Sequence, residues 1–364
     1  MHTFQPPRFG TASIAEVLPS IAAALGEPGF DNHLGYPDVA HAVLLVVDGM
    51  GWQQVQQHCD ELPLLGAAMR EQQPVDAAFP TTTPAGLATL TLAMPPGRHG
   101  MVGATFYLPD FETVLAPLHW DDEPFPPAVQ PEPTVFQRLQ NTVVHRHGPS
   151  KYADTGMTRT FLAGAIAHDY ESFDPDIITR RTQHLDYVYL PKLDKLGHTY
   201  GPNTPKWIAY LREIDELVGY LARRIGPEGA VFVTSDHGMV TIPDAHRIDI
   251  DVDDFMFGID IVAGEPRMRH LYGPDADRLK DRWQDLLAGK ATVLLRDEAI
   301  AAGLFGQVDP FLAERIGDVL AIANDDWLLA SQRVDPRGSA MTGVHGALTL
   351  AEVQVPALVI GGVA

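Results

Sequence analysis

Cysteine is almost absent from this sequence, which has a single one, Cys59, in 364 residues. One cysteine cannot form an internal disulfide, so the fold cannot depend on one and an oxidising compartment is not required. The first residues also lack a basic segment followed by an unbroken apolar run, so no signal peptide is predicted. We therefore expect a cytoplasmic protein.

Long hydrophobic runs and positive charge are also scarce. No apolar run approaches the roughly 18 residues of a membrane-spanning helix, so no membrane partner is expected. Lys and Arg number 26 against 47 Asp and Glu, which gives a formal net charge of −21. An acidic surface of this size repels polyanions and argues against a nucleic-acid polymer as partner. A small anionic substrate is compatible with it, because bound cations can reverse the field locally.

Three short apolar segments, each followed by an aspartate, predict the central sheet. The segments are residues 42–47, 187–190 and 231–234, and the aspartates that follow them are Asp48, Asp194 and Asp236. Continuously apolar strands are typical of a parallel sheet that is covered on both faces. Ligands of such sheets bind outside the carboxyl ends of the strands. We therefore expect the three aspartates to converge at one edge of the sheet.

Segments with helical spacing lie between these strands, as in residues 208–225. The alternation predicts an α/β fold, a three-layer α/β/α sandwich around a mostly parallel sheet. Residues 253–337 have a different pattern and predict a small α+β insert. The core would then comprise residues 1–252 and 338–364.

The predicted insert contains both kinds of element. Two strands come first, and a helix at residues 276–287 and a strand at residues 291–295 follow. A further strand pair is predicted within residues 319–330.

Aspartate and histidine recur at spacings that suit metal ligands. Asp194 and His198 are four residues apart, so both can reach one ion from a single helical turn or loop. Asp236 and His237 are adjacent and directly follow a predicted strand. Each pair alone has an ordinary alternative, a hydrogen bond on a helix face or a turn, and Asp48 could simply cap the next helix.

His345, in the turn Gly-Val-His-Gly at residues 343–346, completes a set of three aspartates and three histidines. A lone histidine between glycines is also common in surface loops. The full set is enough for two metal sites with three protein ligands each, which leaves coordination positions open for chemistry. Nitrogen and oxygen ligands in this ratio favour two divalent ions, best Zn²⁺, with Mn²⁺ or Fe²⁺ as lesser alternatives.

Three consecutive threonines open a predicted helix in the segment Phe-Pro-Thr-Thr-Thr-Pro at residues 79–84. The free N–H groups and positive dipole end of a helix start can hold a phosphate oxygen. A divalent ion could lower the pKa of a threonine hydroxyl far enough for nucleophilic attack. These hydroxyls can equally cap the helix, and we expect that one of them does so.

In combination, these segments resemble the alkaline phosphatase superfamily, and within it the nucleotide pyrophosphatase/phosphodiesterase branch. The matching stretches lie between residues 47 and 346 and include His-Gly-Met-Val-Gly at residues 99–103 and Asp-Lys-Leu-Gly-His-Thr-Tyr-Gly-Pro at residues 194–202. The resemblance implies an alkaline phosphatase-like fold with two zinc ions. One ion would be held by Asp194, His198 and His345, and the other by Asp48, Asp236, His237 and the oxygen of Thr83.

The resemblance also assigns the nucleophile. Thr83 fits that position best, because the flanking stretches then align without a gap, while Thr82 is the alternative, since the family often has a proline two residues after its nucleophile. Two positions depart from the family. Ala104 stands where many members carry an asparagine that holds a phosphate oxygen, and Thr82 stands where a lysine often precedes the nucleophile. Cys59 lacks the Cys/Ser-x-Pro-x-Arg context of sulfatases, so a sulfatase is not expected.

The resemblance implies a hydrolase that cleaves small phosphodiesters or nucleotide pyrophosphates through a phospho-threonine intermediate. Its partner would be a small anionic phosphate ester. Two alternatives stay open: a phosphomonoesterase or phosphonate hydrolase on the same two-metal scaffold, and a metal-binding protein without catalysis.

Overall fold

The computed structural model describes residues 5–361, so the first four and last three residues of the predicted core lie outside the described residues. The strands in chain order are β1 (His41–Val47), β2 (Val75–Asp76), β3 (Phe106–Leu108), β4 (Thr113–Leu115), β5 (Val143–Pro149), β6 (Ile166–Tyr170), β7 (His184–Leu190), β8 (Gly229–Thr234), β9 (Val240–Thr241), β10 (Arg247–Asp249), β11 (Ile261–Glu265), β12 (Met268–Tyr272), β13 (Ala291–Leu295), β14 (Val319–Ala323), β15 (Leu328–Ala330), β16 (Gly343–Val344), β17 (Gln354–Val355) and β18 (Ala357–Gly361).

The α-helices are α1 (Val17–Ala24), α2 (Trp52–Gln56), α3 (Leu65–Glu71), α4 (Thr83–Leu92), α5 (Pro96–His99), α6 (Pro126–Val129), α7 (Val135–Arg138), α8 (Gly156–Phe161), α9 (Lys192–Tyr200), α10 (Pro205–Ile225), α11 (Asp253–Met256), α12 (Ala276–Leu287), α13 (Arg296–Ala301) and α14 (Leu350–Val353). Within residues 5–361, none of the helices combines the length and the apolar character needed to cross a bilayer.

A six-stranded sheet in the order β18-β8-β1-β7-β5-β6 forms the centre of the molecule. Its neighbouring strands are parallel except for β18, which runs antiparallel to β8. All seven residues of β1 are buried, as expected for a strand with protein on both faces. The prediction of a mostly parallel α/β sheet is confirmed.

The side chains of β1 alternate between two separate hydrophobic cores. Leu44 and Val46 pack in one core with residues of α1 and α4, whereas Leu45 and Val47 pack in the other with residues of α3 and α10. One core on each face of the sheet gives the predicted three-layer sandwich.

A second, antiparallel sheet in the order β11-β12-β14-β13 lies within the predicted insert, and α12 packs on it. The predicted helix at residues 276–287 and strand at residues 291–295 are confirmed. The two strands predicted within residues 319–330 are present, but they do not pair with each other. β14 pairs with β12 and β13, whereas β15 pairs in parallel with β10, because a local apolar pattern specifies a strand but not its distant partner. The predicted boundaries of the insert, at residues 253 and 337, stay a prediction.

A buried ion pair joins this second sheet to the core. Arg267, between β11 and β12, donates from Nε and Nη2 to the carboxylate of Glu352 in α14 at 3.0 and 2.9 Å. Both side chains are inaccessible to solvent. Burial works against the charge of Glu352, but the guanidinium holds the pKa of this carboxyl below its usual range.

Replacing Glu352 with glutamine would leave the Arg267 cation buried without its counter-charge. We expect Glu352→Gln to lower the free energy of unfolding by about 3–5 kcal/mol, measured by urea denaturation. The matched control is Glu298→Gln, because Glu298 pairs with Lys280 near the surface; its effect should stay below about 1 kcal/mol. Similar small losses for both variants would contradict a stabilising role for the buried pair.

Candidate metal centre

The three aspartates lie together at the carboxyl edge of three neighbouring strands. Asp48 follows β1, Asp236 lies two residues beyond β8, and Asp194 lies in the first turn of α9, shortly after β7. Because β1 lies between β7 and β8, the ends of the three strands adjoin. Gly49, at a φ of +71°, lets the turn after β1 approach Asp194, since a Cβ there would lie 3.0 Å from the Asp194 Cβ.

The six candidate ligands form two groups. Within each group, potential ligand atoms lie within 4.8 Å of one another; the groups are Asp194, His198 and His345, and Asp48, Asp236 and His237. The rings of His237 and His345 stack with centroids 3.6 Å apart, so the two groups adjoin. The structure therefore brings together every residue that the sequence nominated as an aspartate or histidine ligand.

All three histidines have the same hydrogen-bond pattern. Nδ1 of His198, His237 and His345 lies 2.7 to 3.0 Å from a backbone carbonyl oxygen, those of Gly343, Gly238 and Thr81 respectively. Since only a protonated Nδ1 can donate to a carbonyl, each neutral ring directs the lone pair of Nε2 away from that bond. Fixing the tautomer through the distal nitrogen is typical of metal-ligating histidines.

Each Nε2 faces a carboxylate. The separations are 3.2 Å from His198 to Asp194 and 3.8 Å from His345 to Asp194. His237 Nε2 lies 3.5 Å from Asp48. Burial lowers the pKa of His237 to about 4 and that of His345 to about 3, so both are neutral at pH 7. At His237 and His345, a ring nitrogen and a carboxylate oxygen thus face each other with no hydrogen between them, whereas Asp194 raises the pKa of His198.

One oxygen of each aspartate is buried without a hydrogen-bond partner: Oδ1 of Asp48, Oδ1 of Asp194 and Oδ2 of Asp236. Burial, together with the charges of Asp236 and Asp194, raises the pKa of Asp48 well above its usual range. Burial and Asp194 raise the pKa of Asp236 to about 6. Buried carboxylates without partners are unfavourable unless a cation neutralises them. The donor set therefore fits divalent cations with nitrogen and oxygen ligands.

Two of the three threonines have clearly different contacts. Thr83 Oγ1 lies 3.2 Å from His237 Nε2, so its hydroxyl faces the second group. The Thr81 hydroxyl instead donates to the carbonyl of Ala347 at 2.9 Å and accepts the N–H of Gly346. Thr81 thus braces the loop that carries His345, while Thr83 is in contact with the candidate ligands.

Thr82 occupies the N-cap position of α4, but its side chain makes no capping hydrogen bond. Its hydroxyl is buried without a partner. The expectation that one of the three threonines caps the helix through its side chain is therefore wrong. Pro84, the second residue of the helix, explains part of this, because it has no N–H to donate.

Gly86, in the second turn of α4, is a functional position that the sequence analysis missed. A Cβ at this residue would lie 2.6 Å from the Asp236 carbonyl oxygen and 2.7 Å from the Asp236 Cβ. The missing side chain lets α4 pack directly on the turn after β8, which brings Thr83 to His237. A glycine inside a helical pattern predicts only a weaker helix, so local reasoning gives no signal for this contact.

A cleft adjoins the candidate ligands, and its wall includes another missed residue. Tyr189 donates its hydroxyl hydrogen to Asp48 Oδ2. The alternation along β7, which places Tyr187 and Tyr189 on one face, was the available signal. The apolar part of the wall includes Leu87, Leu118, Met157 and Leu162. Such a wall suits the organic part of a small ligand.

Cationic side chains also line the cleft. Arg146 forms an ion pair with Asp169 at 2.8 Å. Lys195 directly follows Asp194, and burial and the neighbouring Lys151 ammonium lower its pKa. Ala104 lines the cleft too, and its methyl group offers no hydrogen bond to a ligand. The positive charge at the cleft therefore comes from Arg146 and Lys195.

Comparison with known proteins finds a family match over the part of the chain that contains this site. The family model for type I phosphodiesterase / nucleotide pyrophosphatase matches residues 42–348, which include all seven candidate site residues. The chain is also similar to human ectonucleotide pyrophosphatase/phosphodiesterase family member 7, with 26% identity over 258 residues, which cover 64% of this chain and 53% of that protein. The chain thus spans about half the length of the curated relatives it matches.

Two solved structures share the fold. Murine ectonucleotide pyrophosphatase/phosphodiesterase 5 is 18% identical, with a TM-score of 0.67 and 88% of each chain covered. Phosphonoacetate hydrolase from Sinorhizobium meliloti is 19% identical, with a TM-score of 0.67, and the match covers 89% of this chain and 91% of that one. At these identities the likeness is one of fold, and it confirms the alkaline phosphatase-like architecture.

Zinc should stabilise the protein, because a cation removes the repulsion among the buried carboxylates. Binding at 100 times the dissociation constant adds about 2.7 kcal/mol per site. We expect the thermal midpoint to rise by several degrees when zinc is added to EDTA-treated protein. Elemental analysis should find two zinc ions per chain.

Asp236→Asn should have opposite effects with and without metal. The amide oxygen can still accept the N–H groups of Gly49 and His237 that Asp236 Oδ1 now accepts. The loss of one of three repelling carboxylates should raise the thermal midpoint of the metal-free protein, while the gain from zinc shrinks. A zinc-dependent gain as large as that of the unmodified protein would contradict a ligand role for Asp236.

Proposed function

The chain belongs to the type I phosphodiesterase/nucleotide pyrophosphatase family, and on that basis we propose that it is a metal-dependent hydrolase of small phosphodiesters or nucleotide pyrophosphates. One observation carries the proposal: the Thr83 hydroxyl lies 3.2 Å from His237 Nε2, beside three buried carboxylates. A hydroxyl nucleophile next to two sets of metal-type ligands is what in-line phosphoryl transfer by a two-metal site needs. A small anionic phosphate ester is the proposed partner.

We propose two zinc sites. Asp194, His198 and His345 would hold one ion, and Asp48, Asp236 and His237 would hold the other, together with Thr83 Oγ1. When bound, the ions would lower the pKa of the threonine hydroxyl and neutralise charge on the attacking and leaving oxygens. The protein's part is to fix the imidazole tautomers and to keep the carboxylates buried and close together.

The reaction would proceed in two displacements at phosphorus. Thr83 Oγ1 forms a bond to phosphorus while the ester P–O bond breaks; the leaving oxygen keeps the bonding electrons, and the hydroxyl proton passes to solvent. Water then attacks the phospho-threonine, breaks the Oγ–P bond and restores the hydroxyl. The positive end of the α4 dipole favours a phosphate held at Thr83 throughout.

A phosphomonoesterase or phosphonate hydrolase is the second candidate. Ala104 favours it, because this position lacks the side-chain amide that holds a non-bridging oxygen in many members of the branch. Among the similar folds, an inactive variant of the murine protein was solved with AMP, a phosphate monoester, and phosphonoacetate hydrolase with phosphonoformate, a phosphonate. The cytoplasmic location and the absence of polymeric partners stay predictions.

Substitution of the threonines tests the nucleophile. Thr83→Ala should lower kcat on the order of 10³-fold or more, because it removes the hydroxyl that lies 3.2 Å from His237 Nε2. Thr82→Ala is the matched control, since the Thr82 hydroxyl has no partner in the structure, and it should keep most of the activity. Mass spectrometry of acid-quenched protein should find a phosphate on residue 83. Full activity in both variants with metals bound would rule out the threonine mechanism.

The choice of ester separates the two candidate functions. The zinc-loaded protein should hydrolyse bis(4-nitrophenyl) phosphate with a higher kcat/KM than 4-nitrophenyl phosphate. Preference for the monoester would replace the diesterase with the second candidate. No turnover across a panel of phosphate esters and phosphonates, with two ions bound, would favour a non-catalytic metal-binding protein.

A further inference from the structure

Lysine is rare in this chain, and half of the lysine residues lie in one region. There are six lysines in 364 residues, namely Lys151, Lys192, Lys195, Lys206, Lys280 and Lys290. Lys195 lines the cleft at the metal centre. Lys151, Lys192 and Lys195 line the cleft next to it. An acidic chain with a net charge of −21 thus concentrates its ammonium groups beside the candidate active site.

The three lysines differ in whether a carboxylate neutralises them. Lys192 Nζ lies 3.3 Å from a Glu213 oxygen. Among residues 5–361, no carboxylate oxygen lies within 4.0 Å of the ammonium of Lys151 or Lys195. These two groups instead face the ring of Tyr152, at 4.4 and 6.0 Å from its centroid. Two like charges therefore share one aromatic ring without a counter-charge.

This lysine pair, Lys151 and Lys195, is connected to the candidate active site through two aromatic rings. The Tyr152 ring lies 6.4 Å from the Tyr189 ring, and Tyr189 donates to Asp48. Tyr152 and Lys195 line the same cleft as Thr83. A group bound at the lysine pair would thus lie beside the reacting phosphorus and not on it.

We propose that the lysine pair is a subsite for a second anionic group of the substrate, a phosphate or a carboxylate carried on the organic part of the ester. This inference rests on the proposed function, because the second group belongs to the molecule that is cleaved. An anion between the two ammonium groups removes their repulsion and accepts hydrogen bonds from both. The nearby Arg146 does not serve this role, because Asp169 already neutralises it.

A series of esters with one leaving group tests the subsite. The series is 4-nitrophenyl phenyl phosphate and its analogues with a carboxylate or a phosphonate at position 3 of the phenyl ring, assayed with zinc-loaded protein. The analogues should have a higher kcat/KM than the parent ester, by between about 10-fold and 100-fold, the range for hydrogen bonds to charged groups. Comparison of kcat/KM between the carboxylate analogue and the phosphonate analogue identifies which anion the subsite prefers.

Glutamine substitution shows whether the lysines cause this preference. In the double variant Lys151→Gln with Lys195→Gln, the ratio of kcat/KM for the anionic analogues to that for the parent ester should fall towards one. Lys192→Gln is the matched control, because Lys192 is nearby but paired with Glu213, and it should keep the ratio. An unchanged ratio in the double variant, or an equal fall in the control, would overturn the subsite.

Equilibrium binding separates failure of the subsite from failure of the proposed function. Isothermal titration of the zinc-loaded protein with 3-phosphonopropionate and with methylphosphonate gives a ratio of affinities that does not depend on turnover. If no ester is hydrolysed but the double variant loses the preference for 3-phosphonopropionate, the subsite stands and the hydrolase proposal falls. If esters are hydrolysed and this preference is absent or independent of the lysines, the subsite falls and the hydrolase proposal stands.

Discussion

Electrostatic repulsion among three buried carboxylates is the constraint on which the rest of the site depends. Asp48, Asp194 and Asp236 each keep an oxygen without a hydrogen-bond partner, and His237 and His345 present further lone pairs rather than protons. Such a cluster persists only where a rigid framework imposes it. The framework is the parallel sheet, whose strands β7, β1 and β8 end side by side and are packed on both faces.

Much of the fold and most of the candidate ligands could be predicted, because their signals are local. A buried strand such as β1 is apolar at every position, and the strands of a parallel sheet end at the same edge. The position of an aspartate directly after such a strand can therefore be predicted: it lies at that edge of the sheet. The spacing of Asp194 and His198 predicted a shared helical turn or loop in the same way, and both residues lie in α9.

The missed features depend on contacts between distant segments. The partner of β15 is β10, about 80 residues earlier, and no local pattern encodes that pairing. Gly86 matters only because Asp236 packs against it. Which hydroxyl faces the ligands depends on how α4 begins and on where the His345 loop lies. The lysine pair was not predicted, because the net negative charge of the whole chain does not reveal a local cluster of positive side chains.

The hydrogen bond from His345 to the carbonyl of Thr81 has a consequence for synthesis of the chain. The candidate ligands are spread from Asp48 to His345, and the segment that carries the last of them also holds Thr81 through Gly346. A nascent chain therefore contains a nearly complete sheet before the residues that brace the threonine segment leave the ribosome. An ion that needs His345 as a ligand would accordingly be held only after residues 343–346 have been added to the chain.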